Sequence, residues 1–344
     1  MVIDDRAGSS DIGTTPVSIK GGSIKVEGYS ADLASGGMID VSGGASINAK
    51  GSVSYGNAGN FTIATGREIG FSATLGGHLN LGSTLKGYSG GTGGTLSLTG
   101  SAIQVGGNST APSVTRIGEE FFNQGGFSNI SLTGIGIVGS DAPAMNIVAG
   151  TVIKPVVQSW LAQTTPGNFH LETITREEGL RTPASLSFGA LGASFNNLPL
   201  VIGNLEMGQG AVIETDAKGS VSFSGQAITL RGAVTTAGGT ISIAGRNQYP
   251  SNTTVPTEAL PTVHLASSAA LSTAGKTVLT QNPFGLRQGQ VLAGGSISVS
   301  GNIIAETGAV LDVSGTRGIL DLPPQSASLD RATVDSSGNR NTVP

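Results

Sequence analysis

The chain has 344 residues, of which 55 are glycine, and its formal net charge is −4. Only 12% of the residues are charged and 4% are aromatic, against 38% hydrophobic, which excludes a disordered chain and argues against a basic nucleic-acid-binding surface. Because there is no cysteine, disulfides and thiolate metal sites are excluded as well.

Residues 1–106 carry the most regular pattern of the chain and are predicted to form a regular β-helix. Short stretches alternate aliphatic and polar residues, and glycine pairs or other turn residues separate them. This alternation is typical of strands with one buried face, and the scarcity of proline indicates strands that are paired on both edges. The alternating pairs are Ile24/Val26, Ile39/Val41, Leu79/Leu81, Leu96/Leu98 and Ile103/Val105.

The same unit recurs to the end of the chain, which indicates a repeat architecture. Residues 50–55 return almost unchanged as residues 218–223, and residues 40–43 return as residues 312–315. A single coil of about 20 residues buries too little apolar surface to stay folded, so we predict stacked coils that share one core. The expected fold is all-β, a single-stranded parallel β-helix (β-solenoid) of roughly 17 coils, each rising about 4.8 Å.

Residues 107–200 break this rhythm, since prolines and the only tryptophan, Trp160, fall here. We expect a β-helix with long excursions, or a small subdomain laid on the solenoid. The stretch 152–161 is predicted as strand, because Pro155 and a β-branched run disfavour a helix. Regular β-helix is predicted to resume over residues 201–315, with an excursion at 249–261, and residues 316–344 are expected to form an irregular tail.

Three glycine-rich stretches match functional motifs. Residues 134–139 match the dinucleotide fingerprint and residues 87–91 match the nucleophile elbow, but no helix is predicted after either of them. Residues 90–96 approach a calcium-binding repeat, although Thr95 stands where an aspartate is required. The sequence therefore predicts no catalytic residue, no cofactor and no metal site.

Two adjacent carboxylate pairs, Glu119-Glu120 and Glu177-Glu178, keep an enzymatic alternative open. Neighbouring residues of a strand point to opposite faces, whereas a glycosidase needs two carboxylates that converge on one bond. Carboxylates from different coils could still converge. The alternative is thus a polysaccharide lyase or hydrolase on a β-helix scaffold, and a solvated surface is the interpretation that the sequence favours.

Exposed aromatic residues are the other candidates for function. Loops on a rigid scaffold commonly carry recognition, so Phe121, Phe122, Phe127 and Trp160 are the candidate partner-binding residues. The alternative, which we favour, is that these side chains cover the core or pack an excursion.

Several of these stretches resemble a known family. The Gly-Gly-x-Ile-x-Val units, the Asp-Val-Ser-Gly endings, the run Phe-Phe-Asn-Gln-Gly-Gly-Phe at 121–127 and the segment 285–295 are similar to large filamentous-haemagglutinin-type exoproteins. Those proteins are passengers of two-partner secretion. The similarity covers about residues 19–315.

The resemblance implies a right-handed β-helix that a Gram-negative bacterium exports through a dedicated outer-membrane transporter pore. It implies a secreted or cell-surface adhesin, or a stalk for a toxin, whose partners are glycans or proteins on host or neighbouring cells. Residues 1–6 do not resemble a signal peptide, and no apolar run approaches the roughly 20 residues of a membrane helix. We therefore expect an internal stretch of such a protein, with no transmembrane segment and no nucleic-acid partner.

Overall fold

A computed structural model describes residues 2–4, 19–68, 74–165, 168–196, 198–247, 260–280 and 282–321. Most of the predicted excursion at 249–261 and of the predicted tail at 316–344 lies outside the described residues. Within the described ranges the chain forms strands and one short 3-10 helix, η1 (Glu119–Asn123), and it contains no α-helix.

Short strands dominate the described residues. Those before residue 175 are β1 (Val2–Asp4), β2 (Ser23–Glu27), β3 (Ala31–Leu33), β4 (Met38–Asp40), β5 (Ala45–Ile47), β6 (Val53–Tyr55), β7 (Asn60–Ala64), β8 (Leu79–Leu81), β9 (Thr84–Lys86), β10 (Gly94–Gly100), β11 (Ala102–Val105), β12 (Val114–Ile117), β13 (Phe127–Gly134), β14 (Met145–Ile147), β15 (Val152–Ile153), β16 (Ser159–Thr165) and β17 (Asn168–Ile174). Those after it are β18 (Ser185–Ala190), β19 (Ala193–Phe195), β20 (Leu198–Val201), β21 (Asn204–Met207), β22 (Val212–Thr215), β23 (Ser220–Gly225), β24 (Ala227–Leu230), β25 (Ala233–Thr236), β26 (Thr240–Gly245), β27 (Thr262–Leu265), β28 (Ala270–Ser272), β29 (Thr277–Thr280), β30 (Gln288–Val291), β31 (Ser296–Ser300), β32 (Asn302–Ala305) and β33 (Val310–Asp312).

Three long parallel sheets organise these strands. The first sheet has the order β2-β7-β10-β13-β18-β23-β26-β31, the second sheet β12-β11-β14-β21-β24-β27-β32, and the third sheet β15-β22-β25-β28-β33. The parallel pairs β3-β8 and β4-β9 take the corresponding places in the first two coils. The chain passes from the first sheet to the second and the third and then returns, so this all-β arrangement is consistent with a β-solenoid.

The number of coils differs from the prediction. Among the described residues the first sheet contains eight strands, which mark eight coils, whereas roughly 17 were predicted for the chain. A coil length of about 20 residues is found at one step of that sheet, where Ser220 pairs with Thr240, whereas Asn129 pairs with Ser185, 56 residues later. Insertions between the strands lengthen most coils. Seven steps of about 4.8 Å give a stack of about 34 Å instead of about 80 Å.

Two columns of inward side chains run through all eight strands of the first sheet. They are Ile24, Phe61, Leu96, Ile130, Leu186, Val221, Ile241 and Ile297, and Val26, Ile63, Leu98, Leu132, Phe188, Phe223, Ile243 and Val299. Between the first and the last coil these side chains are buried, and they join the inward residues of the other sheets in one core. The predicted alternation of buried and outward residues is confirmed for these strands.

The glycine pairs before the strands allow the coils to stack closely. Gly295 lies against Gly239, which in turn lies against Gly219 in the coil before it. A Cβ atom at Gly239 would collide with the carbonyl oxygen of Gly219, and one at Gly295 with that of Gly239. The recurrence of glycine at this point of the sequence unit therefore follows from backbone contact between coils.

Antiparallel hairpins interrupt the coils at four places. These are β5-β6, β16-β17, β19-β20 and β29-β30. Two of them fall in the predicted range 107–200, and strands occupy the ends of the stretch 152–161 as predicted, but the other two hairpins fall in ranges that were predicted to be regular. Hydrophobic alternation does not distinguish a coil strand from a hairpin strand, because both have one buried face.

One of the two sequence echoes does not mark equivalent positions. Residues 218–223 lead into β23 in the parallel first sheet, whereas residues 50–55 lead into β6 of an antiparallel hairpin. Such short segments fit either setting, and tertiary context decides between them. The echo of residues 40–43 in residues 312–315 is a true one, since each stretch follows the third strand of its coil.

Candidate functional site

The third sheet is interrupted beside η1, and this break creates a concave site. After β11 the chain does not continue around the coil but returns as β12, which pairs in parallel with β11. The following residues then form η1 where the third strand of this coil would otherwise lie, between β9 and β15. A strand is thus replaced by a short 3-10 turn, which leaves a gap on this face.

Side chains of η1 take over the hydrogen bonds that a strand would have made. The backbone N–H of Val152 in β15 donates to Oε1 of Glu119 at 3.0 Å. The N–H of Val156 donates to Oδ1 of Asn123 at 2.8 Å. Glu119 therefore has a structural role here, since its carboxylate is hydrogen-bonded to the backbone of β15.

The predicted aromatic residues of this region divide between the core and the gap. Phe122 and Phe127 are buried, with 2% and 4% of their surfaces exposed, so they are core residues of the coil. The ring of Phe122 contacts that of Phe188 in β18 at a centroid distance of 6.4 Å. Phe121 packs edge-on against Phe122 and lines the gap. Phe127 also borders the gap despite its low exposure, and Phe121 is the more exposed of the two lining phenylalanines.

Trp160 lies at the base of the β16-β17 hairpin and stacks on Tyr88. The ring centroids are 5.9 Å apart and the ring planes meet at 18°. The backbone N–H of Trp160 donates to the carbonyl oxygen of Ser89 at 3.1 Å, and the backbone N–H of Ala162 donates to Oη of Tyr55 at 2.8 Å. The hairpin is therefore tied to the body of the stack, and Trp160 supports Tyr88 rather than standing free in solvent.

Together these groups enclose a cleft of about 510 Å³, which we call the η1 cleft. Its lining combines the aromatic side chains Tyr88 and Phe121 with the polar side chains Arg116, Glu120 and Gln158. Other lining residues include Ser83, Thr84, Asn123 and Gln124. The volume is within the range of about 300–1,000 Å³ that is usual for small-ligand sites.

The chemistry of the η1 cleft fits binding of a polyhydroxylated molecule. Arg116 supplies donors, Glu120 supplies acceptors, and the amide of Gln158 supplies both. Glu120 is the one carboxylate among the lining residues, and glycosidic cleavage by the usual mechanisms requires two. The described lining thus brings together recognition groups and not the carboxylate pair that the enzymatic alternative needs.

The second carboxylate pair serves a structural contact elsewhere. Both carboxylate oxygens of Glu178 accept from Nζ of Lys276 at 2.8 Å, and the Ala217 N–H donates to Glu178 at 3.0 Å. Burial alone raises the pKa of the Glu178 carboxyl, but these hydrogen bonds, together with the charges of Lys276 and Arg181, lower it below its ordinary value. This contact fixes the turn at 177–181 to the residues that enter the β29-β30 hairpin.

A smaller cavity of about 330 Å³ lies between that turn and the hairpin. Here the Arg181 guanidinium donates two hydrogen bonds to the Asp216 carboxylate, which raise the pKa of Arg181. Nζ of Lys218 donates to Oε1 of Gln290 at 2.6 Å. These charged groups are already paired within the protein, so this cavity offers a ligand less than the η1 cleft does.

The remaining motifs have structural roles where the structure describes them. Ser89 of the elbow-like stretch is buried, donates through Oγ to the Gly56 carbonyl and accepts from the Gly91 N–H. No helix follows the glycine-rich residues 134–139. Among the described residues, no group of three or more His, Cys, Asp or Glu side chains is placed to hold a metal ion.

Sequence reasoning identifies only part of the η1 cleft. It names Phe121 and Phe127, and it names Glu120 as one of a carboxylate pair, whereas Trp160 stacks on Tyr88 and is not among the lining residues. It does not select Tyr88, Arg116 or Gln158, which come from three separate coils and share no motif. The prolines and aromatic residues after residue 107 were the available signal that the regular path is broken here.

Comparison of the chain with models of known protein families, with curated proteins and with solved structures gives no match. Among the described residues there is no helix of the length and apolarity needed to cross a membrane.

Proposed function

We propose that this chain is a structural and adhesive segment of a β-helical filament that is secreted by, or displayed on, a Gram-negative bacterium. In this proposal the stack is a right-handed, single-stranded parallel β-helix, it is exported through an outer-membrane transporter pore, and it also serves as a stalk. The long parallel sheets and the resemblance of residues 19–315 to filamentous-haemagglutinin-type exoproteins support it.

The observation that carries the adhesive part is the η1 cleft, which opens on the side of the stack. Tyr88 and Phe121 offer apolar ring faces to the C–H faces of a sugar ring, while Arg116, Glu120 and Gln158 can hydrogen-bond its hydroxyls. We therefore propose a glycan of a host or neighbouring cell as the partner. Coil stacking holds these groups rigidly, which lowers the entropic cost of binding.

Binding of the purified protein to a glycan array and to intact cells tests this proposal. Tyr88→Ala and Arg116→Ala should each weaken binding by about tenfold, because each removes one class of contact, apolar or polar. Tyr29→Ala and Arg246→Ala are matched controls, since both residues are exposed outside the cleft, and they should bind as the unchanged protein does. Equal binding by all four variants, or no binding by the unchanged protein, would contradict the proposal.

The same purified proteins distinguish adhesion from the enzymatic alternative. Glu120 and Arg116 share one cleft, so a polysaccharide lyase or hydrolase would use them first. Release of reducing ends or of unsaturated uronates from acidic polysaccharides, lost in Glu120→Gln, would replace the adhesive proposal by the enzymatic one. Binding without release of products supports adhesion.

A further inference from the structure

The cavity between the turn at 177–181 and the β29-β30 hairpin is smaller than the η1 cleft, but it has an unbalanced charge. Arg181 and Lys218 are the charged residues among those that line it, and both are cationic. The Arg181 guanidinium is compensated by the Asp216 carboxylate, to which it donates two hydrogen bonds. Nζ of Lys218 donates to Oε1 of Gln290, which is a neutral amide, so this contact leaves the charge of Lys218 in place.

The carboxylate of Glu178 on the same turn is engaged by a different lysine. Both of its oxygens accept from Nζ of Lys276, and one of them also accepts from the backbone N–H of Ala217. An ammonium group has three N–H donors, and the contact with Gln290 uses one of those of Lys218. Lys218 therefore retains both positive charge and hydrogen-bond donors for an anionic group.

The backbone of Lys218 adopts a conformation that favours glycine. Its φ is +67°, and among the described residues with positive φ only Lys218 and Asn196 are not glycine. Asparagine visits this region because its short side chain bonds to the local backbone, whereas the long side chain of lysine brings no such compensation. The conformation therefore costs free energy at Lys218.

The next coil has glycine at the equivalent position. Ser220 pairs with Thr240, so Lys218 is aligned with Gly238, each two residues before its partner. The φ of Gly238 is +60°, nearly the same as that of Lys218. Glycine would remove the strain at Lys218, and strain of this kind is concentrated at functional sites. The strained lysine thus points to a function of its side chain.

Apolar side chains form much of the remaining wall of this cavity, whose volume is about 330 Å³. They belong to Leu180, Pro183, Val278 and Leu292. Val278 is buried, but Leu180 is 57% exposed, so an apolar group in the cavity would remove part of its surface from water. The volume lies at the lower end of the range of about 300–1,000 Å³ that is usual for small-ligand sites.

From these observations we propose that this cavity binds a small monocarboxylate whose body is a single ring or a short alkyl chain. The carboxylate accepts from Nζ of Lys218, and the apolar body lies against Leu180, Pro183 and Leu292. One uncompensated ammonium matches one negative charge, whereas a phosphate dianion would keep an unpaired charge beside apolar walls. The described lining residues of this cavity and of the η1 cleft do not overlap, so the inference does not rest on glycan binding.

A ligand-observed NMR titration of the full chain with benzoate tests the proposal. Benzyl alcohol keeps the ring without the charge, and inorganic phosphate keeps the charge without the ring. We expect a Kd of about 1 mM or tighter for benzoate and values at least about tenfold higher for the other two. Absence of benzoate binding at about 10 mM, or equal affinity for benzoate and either comparison ligand, would overturn the proposal.

Two substitutions of Lys218 separate ligand binding from stability. Lys218→Met removes the charge and keeps the strained backbone, whereas Lys218→Gly removes both. Each should raise the Kd for benzoate at least about tenfold, and only Lys218→Gly should also raise the urea midpoint of unfolding. Unchanged benzoate binding by Lys218→Met, or a lower urea midpoint for Lys218→Gly, would contradict the proposal. Lys154→Ala is the control, since Lys154 pairs with Glu214 outside the cavity, and it should bind benzoate as the unchanged chain does.

The apolar wall is tested by a matched pair of leucine variants. Leu180→Ala should raise the Kd for benzoate about threefold or more, because it removes apolar surface that the ring covers. Leu279 is 50% exposed on the same hairpin and is not among the residues that line the cavity, so Leu279→Ala should leave the Kd unchanged. Equal effects of the two substitutions would mean that benzoate binds elsewhere, and would overturn the assignment of this cavity.

Discussion

Phe188 and Phe223 stack on each other in neighbouring coils, with ring centroids 5.6 Å apart and ring planes at 21°. They are paired across β18 and β23, and their exposures are 0% and 1%. The ring of Phe122 also contacts that of Phe188, at a centroid distance of 6.4 Å. The core is thus held by contacts between coils as well as within them, which is how a stack of marginal coils becomes stable.

Replacing Phe188 with alanine should leave a cavity between two coils. We expect the free energy of unfolding, measured by urea denaturation, to fall by about 3–5 kcal/mol. The neighbouring outward residue provides a control, because Ser187→Ala should change the same quantity by no more than about 0.5 kcal/mol. Similar effects for the two variants would mean that the inward column is not the core.

Gly239→Ala should destabilise the protein through the backbone contact with Gly219. Forcing the two coils apart should cost about 1–3 kcal/mol, seen as a lower urea midpoint. Gly22→Ala makes the same chemical change where no atom lies within 4 Å of the new methyl group, so its midpoint should be unchanged or slightly higher. A tolerated Gly239→Ala would refute the close contact.

The contact between Glu178 and Lys276 should make stability depend on pH. The pKa of Glu178 is lowered in the folded protein from an ordinary value of 4.5, so its contribution is complete above about pH 4.5 and is lost as the pH falls through the lower folded value. At pH 7, Glu178→Gln should lower the free energy of unfolding by at most about 1 kcal/mol, because the pair is partly exposed.

Urea denaturation of Glu178→Gln between pH 3 and pH 7 checks the direction of this pH dependence. The difference in the free energy of unfolding between this variant and the unchanged protein should shrink as the pH falls below about 4.5. The control Glu214→Gln breaks an exposed pair with Lys154, and at pH 7 it should change the free energy of unfolding by no more than about 0.5 kcal/mol. A difference for Glu178→Gln that grows on acidification would contradict the argument.

The stacking of Tyr88 on Trp160 can be followed by fluorescence, since Trp160 is the only tryptophan. Tyr88→Ala should shift the emission maximum to longer wavelength, because the indole ring loses its cover and contacts more water. Tyr29→Ala should leave the spectrum unchanged. An emission spectrum of Tyr88→Ala that is identical to that of the unchanged protein would show that the Trp160 ring does not stack on Tyr88.

The sequence predicts the core better than it predicts the path of the chain. The alternation at Leu96/Leu98 and Ile103/Val105 identifies buried columns, because a strand with one buried face requires it. The length of a coil has no such signature, since apolar and polar residues also alternate in an insertion such as the β16-β17 hairpin. The described part of the chain therefore contains fewer coils than the prediction gave it.

The η1 cleft was predictable only in outline for a related reason. Tyr88 and Trp160 stack although 72 positions separate them, and Arg116 reaches the cleft only because β12 turns back beside β11. Contacts of this kind depend on which coil each residue occupies. Prolines and aromatic residues after residue 107 mark the disturbance, but they do not give its geometry.

Cysteine cross-linking across the first sheet tests the stacking of coils most directly, because the chain has no cysteine of its own. Ser131 and Ser187 are outward partners in adjacent strands, 56 residues apart in sequence. Adjacent strands lie about 4.8 Å apart, within reach of a disulfide, whereas strands two coils apart lie at about 9.6 Å and are not. The double variant Ser131→Cys/Ser187→Cys should form an intramolecular disulfide on mild oxidation, and Ser131→Cys/Ser222→Cys should not. Absence of the first disulfide, or equally ready formation of the second, would contradict the parallel stack.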